Sequence, residues 1–177
     1  MCLPNAKNMT SDVVYVGMTV NTAWIKIVGR GTFQNSHPIK KWLLQKLDQG
    51  CLNVFVDLSE CASMDSTCMG ILTGISLRMH GRLHKYLQVI NPSAHNIRLL
   101  ETLGLNRFVE IKEKYAIDEN VKLDKLQPES LDKLGTTKHI VDAHQDLMDT
   151  GGTAYEQFKG VHKMLKEDLE RQLKKDK

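Results

Sequence analysis

The chain has 177 residues, 41% of them apolar and 25% charged, with 4 Pro and 12 Gly. That composition excludes a disordered, collagenous or low-complexity protein. The net charge of +3, from 24 basic and 21 acidic residues, is too balanced to call for nucleic acid or anionic lipid as a partner.

No run approaches the roughly 18 apolar residues of a membrane span. The stretch Met1–Asn8 lacks the apolar segment of a secretory signal, so a soluble, cytoplasmic protein without a membrane partner is expected. Cys2, Cys51, Cys61 and Cys68 form no CxxC pair, and the seven His show no ligand-like spacing. Free thiols, no metal and no cofactor follow.

After an N-terminal tail (1–12), Val13–Val16 and Trp24–Val28 read as strands, and 17–23 either turns or extends the first. Gly29-Arg30-Gly31 breaks the pattern; a GxG pair without a third glycine is a turn before it is a nucleotide signal. Pro38 sits in the first turn of a predicted helix, with Ile39, Trp42, Leu43 and Leu47 inside and Gly50 as its stop. Leu52–Leu58 is a nearly continuous apolar run, the pattern of a strand buried on both faces.

A six-residue connection leads to Asp65-Ser66-Thr67, which opens a second helix with Cys68, Leu72, Ile75 and Met79 inward. All three opening residues favour capping, and Ser66 is placed best for it. Gly70 and Gly74, four apart, would let this helix lie close to the sheet. A strand at Tyr86–Ile90, a helix from Asn91-Pro92-Ser93 to Gly104 and a strand at Phe108–Ile111 complete an α/β alternation of four to five strands in a mixed sheet covered by helices. Residues 119–177 carry 11 basic and 12 acidic side chains and form a two-helix extension. Ser130–Met148 places Leu134, Val141 and Met148 on one stripe, and Tyr155–Leu173 places Phe158, Val161, Leu165 and Leu169 on another. Such helices need a surface: their own α/β domain, or a second copy in a homodimer.

The segment Val56-Asp57-Leu58 followed by Asp65-Ser66-Thr67-Cys68-Met69-Gly70 resembles the signature of the STAS domain of bacterial anti-sigma-factor antagonists. The resemblance spans residues 13–115, within a STAS-like domain taken as 13–118, and leaves out the extension. It implies a non-catalytic regulator that binds an anti-sigma factor, itself a serine kinase. Phosphorylation at Ser66 would end that binding, and a serine phosphatase would restore it. Asp65 would orient the hydroxyl or meet the partner, with Asp57, Thr67, Cys68 and Met69 in the surround. The sequence departs from the pattern at Cys68, where the family usually has Gly, and at Arg30, where many antagonists carry an acidic residue. Arg30, if near Ser66, would pair with a phosphate.

The local chemistry agrees with a switch. A phosphate at a helix start meets free N–H groups, so it should not unfold the domain, yet it adds roughly −1.5 to −2 charges that any covering partner must desolvate. A different reading makes the chain a constitutive scaffold or ligand-sensing module that assembles through its C-terminal helices. Catalysis has no positive signal: Ser66 is not in a GxSxG elbow, and Cys68 falls on the apolar stripe of its helix.

Overall fold

The computed structural model describes residues 12–117 and 120–175. The chain enters as a hairpin. Strand β1 (Val13–Thr19) pairs antiparallel with β2 (Thr22–Gly31) along its whole length. The segment 17–23 therefore extends both strands, and Asn21 takes φ 58° at the tip, a backbone region that Asn tolerates better than most residues. The predicted break at Gly29–Gly31 is absent: β2 runs through it with a bulge between Gly29 and Arg30.

β3 (Asn53–Asp57), β5 (Gln88–Ile90) and β6 (Glu110–Lys112) continue the sheet in parallel from β2, in the order β6-β5-β3-β2-β1-β7. Two short strands go beyond the sequence expectation. β4 (Cys61–Met64) pairs with the far end of β2, and β7 (Asp124–Lys125) pairs with β1. Each is too short to carry a periodic pattern.

Side chains alternate across the pleat. Ile25, Ile27, Val54 and Val56 face the main core, whereas Trp24, Phe55 and Ile90 face the other side. There Trp24 stacks on Phe55 with ring centroids 4.5 Å apart, beneath Tyr115, Ile117, Val121 and Leu123. One face of the sheet is thus roofed by helices and the other by an irregular strap.

Helix α1 (Phe33–Asp48) begins five residues before Pro38, which lies inside it rather than in its first turn. The Thr32 N–H donates to Asn35 Oδ1 at 2.8 Å, an interaction that starts the helix upstream. α2 (Ser66–Leu83) buries Cys68, Leu72, Ile75 and Met79 as expected. α3 (Ala94–Thr102) starts at Ser93, whose Oγ accepts the Asn96 N–H, and ends before Gly104 at φ 69°.

The extension forms an antiparallel pair, α4 (Lys133–Met148) and α5 (Gly152–Lys175). It folds back on its own chain, with α4 against α2 and α5 against α4. Two stripe assignments change. Val161 is exposed, and the buried line of α5 is Ala154, Phe158 and His162, at four-residue spacing. On α4 the buried set includes Thr137, His139, Ala143, His144 and Leu147 beside Val141.

Candidate functional site

The site is built where β4 hands over to α2. Asp65, not Ser66, caps this helix: its Oδ1 accepts the Cys68 N–H at 2.8 Å, and its Oδ2 accepts the Phe33 N–H at 2.8 Å. One carboxylate closes the first turns of two helices, and each such contact stabilises by about 1 kcal/mol. Ser66 therefore becomes the first helical residue, with its hydroxyl released from capping.

That hydroxyl lies half-buried, 2.9 Å from Nε2 of His144 on α4. A second pair repeats the arrangement five residues earlier on α4: Ser36 Oγ on α1 sits 2.9 Å from His139 Nε2. Lys40 adds an ion pair to Asp142 at 3.5 Å. α4 can come this close because Gly70 and Gly74 face it, correcting the expectation that they face the sheet. A Cβ on Gly70 would stand 2.8 Å from the Ala143 carbonyl carbon and closer still to its oxygen. Ser66, Gly70 and Gly74 lie at i, i+4 and i+8, one straight line along the helix.

The imidazoles are held neutral. Burial lowers His139 from 6.5 to about 4, helped by His37 and Lys40. Burial also lowers His144, with His162 beside it, and lowers His162, with Lys166 beside it. His144 Nδ1 has no hydrogen-bond partner among the described residues. Neither ring nitrogen of His162 has a hydrogen-bond partner among the described residues. Burial raises Asp146, also on α4, to about 6.

The remaining expected site residues divide. Asp57 is buried and supports the loop from inside: it accepts the Ser59 N–H and hydroxyl at 3.0 Å each and Asn91 Nδ2 at 3.3 Å. Thr67, Cys68 and Met69 are buried too. Burial, reinforced by Asp65, pushes the Cys68 thiol well up, opposite to the activation a nucleophile needs. Arg30 is exposed and engaged with Asp12 through hydrogen bonds of 3.0 and 3.2 Å; its guanidinium is committed there rather than to Ser66.

Ser66 and His144 have the spacing of a nucleophile and its base, but no third group orients the imidazole among the described residues. A cleft of about 470 Å³ opens instead beside His139, lined by Phe33, His37, Glu129, Leu131 and Thr136, and Ser66 is not in its wall. Sequence reasoning missed His144. Its signal was a histidine among apolar positions of an amphipathic helix, which alone does not name a partner 78 positions away.

The family model described as "Mlab, STAS domain" matches residues 14–111, more than half of the chain. The chain belongs to the STAS domain family. A Thermotoga maritima protein named as a candidate anti-sigma factor antagonist is 29% identical over 79 residues, covering 44% of this chain and 69% of that protein. The crystal structure under that name superimposes with a TM-score of 0.51 at 22% identity, over 56% of this chain and 85% of that one. The solution structure of the same protein gives 0.50 at 20% identity, over 64% and 87%. Among the described residues, no helix is long and apolar enough to cross a membrane.

Proposed function

We propose that this chain is a non-catalytic regulator in the manner of an anti-sigma factor antagonist, acting through protein binding and switched by phosphorylation of Ser66. One observation carries the reading. Ser66 is the first residue of α2, its hydroxyl is half-buried rather than sealed, and Asp65 does the capping in its place. A phosphate there leaves the helix cap intact while adding roughly −1.5 to −2 charges beside a carboxylate. Burying such a group under a partner costs several kcal/mol, against about 0.3–1 kcal/mol gained from the helix dipole.

On this reading the partner is a protein with serine-kinase activity, and a phosphatase resets the switch. Ser66 is the acceptor, and Asp65 and Asp57 hold the loop and helix start in shape. The test is incubation of the full chain with ATP and a serine kinase encoded beside its gene, read by peptide mass spectrometry. Phosphate on Ser66, lost in Ser66→Ala, supports the switch. Tight partner binding with no phosphate at any kinase concentration supports a constitutive scaffold instead.

A further inference from the structure

The α4–α5 pair covers the Ser66 end of α2, with α4 packed along that helix. The contact has three independent marks. Gly70 and Gly74 bring the two helices together, Gly70 against the Ala143 backbone itself. Two serine–histidine pairs, Ser66–His144 and Ser36–His139, tie the middle of α4 to α2 and to α1. The third mark is imperfection: His144 is 5% exposed, yet its Nδ1 finds no acceptor or donor among the described residues. A buried polar atom left unpaired weakens the surface that buries it. α4 thus fits its seat closely in shape and incompletely in polarity, while Leu147, Ala154 and Phe158 of the hairpin join the main core.

We propose that the Ser66–Gly70–Gly74 face of α2 is a helix-docking surface, that α4 occupies it in cis, and that a protein partner binds by placing a helix of its own in that seat. This rests on the proposed function only in taking the partner to be a protein. The occupant defines the partner's chemistry. It is an amphipathic helix with a small residue at the crossing, where Ala143 lies, and hydrogen-bonding side chains five positions apart, as His139 and His144 are. Only such a helix reaches both Ser36 and Ser66 while touching the glycines. Thr67 and Met69 are buried, Met69 within the main core, so neither is offered to a partner as the chain stands. Release of the hairpin would be the step that admits the partner.

The probe is a fluorescein-labelled synthetic peptide of residues 130–150, titrated into the full chain. The double variant His139→Ala/His144→Ala loosens the resident helix and leaves the face on α1 and α2 unchanged. It should bind the peptide at least tenfold more tightly than wild type does, and adding Gly70→Leu, which fills the seat, should abolish that binding. Hydrogen exchange on the same chains should show α4 and α5 exchanging at least tenfold faster in the double variant, with β2 and β3 unchanged. Equal affinity for both chains, or none for either, overturns the proposal. Loss of protection that is equal in hairpin and sheet also overturns it, since the hairpin would then be an inseparable part of the core. A stable dimer of the double variant assigns the face to a second copy and overturns the partner claim. None of these results depends on phosphate at Ser66, so the switch and the seat fail separately.

Discussion

Replacing glycine by alanine within one helix tests the α2–α4 contact directly. In a helix interior the change stabilises by about 0.8–1 kcal/mol when the new methyl meets nothing. Gly81 is that case: no atom lies within 4 Å of the position its Cβ would take. Near the end of α2 the gain is about 0.5–1 kcal/mol. Gly70 is the opposite case, because the methyl would press on the Ala143 carbonyl, which is backbone and cannot swing aside. Overpacking of this kind costs about 1–3 kcal/mol, so the propensity gain is outweighed and the net loss is about 1–2 kcal/mol. Gly74 falls between, since its methyl would meet the Asp146 carboxyl group, which can rotate away, and the Asp146 Cβ at 3.0 Å, which cannot. For a chain of this size 1 kcal/mol moves Tm by about 2–4 °C. Thermal denaturation by circular dichroism should therefore place Gly81→Ala about 1–4 °C above wild type and Gly74→Ala near it. Gly70→Ala should fall about 2–8 °C below. A rise for Gly70→Ala matching that of Gly81→Ala would refute the close approach of α4, and with it the seat proposed for a partner helix.

Asp65→Ala removes caps from two helices at once, and urea denaturation should show a loss of about 2 kcal/mol, twice that of an ordinary cap. Asp146→Asn should stabilise at pH 7.5, by about 1 kcal/mol after solvent relaxation. The folded pKa of about 6 lies above the ordinary 3.8, so the cost of the charged form is present above pH 6 and vanishes below about 3.8; the gain should be absent at pH 3.5. The histidines run the other way. Their folded pKa values lie below 6.5, so the stability they add is complete above pH 6.5 and is lost as the pH falls, toward about 4 for His139. In the Asp146→Asn background, exchange protection of α4 and α5 should therefore drop between pH 6.5 and 4.5, and constant protection would contradict burial of neutral imidazoles.

Much of the α/β core was legible because its signals are local. The apolar run 52–58, the helix start at Asn91-Pro92-Ser93 and the Gly104 stop each depend on neighbours within a few positions. The cap at α2 was misassigned because Asp, Ser and Thr in succession all satisfy the same local rule, and only the second bond of Asp65, to the Phe33 N–H, breaks the tie. Gly70 and Gly74 were correctly marked as a close-approach line but given the wrong neighbour. Spacing along one helix fixes a face, not what lies against it. The α5 stripe went astray for a related reason. Val161 has the higher hydropathy, yet His162 continues the four-residue spacing of Ala154 and Phe158, and the structure buries the histidine. Pattern reading that treats histidine as polar cannot find a helix whose contact face is built from it.

The two departures from the family pattern take on different weights once placed in space. Arg30 is tied to Asp12, and the charge reversal it brings is largely answered locally. Cys68 is packed inward, 1% exposed, with its sulfur near the point where a Cβ on Gly31 would sit, so its side chain shapes the core and not the docking face. The feature that changes what a partner meets is neither of them but the hairpin. The Ser66 hydroxyl faces an imidazole of α4, so on the proposed reading a phosphate there would act on α4 before it acts on any other protein. Switching and unlatching would then be the same event, and the order in which the hairpin leaves and the partner arrives sets whether Ser66 is modified in the free chain or only in the complex.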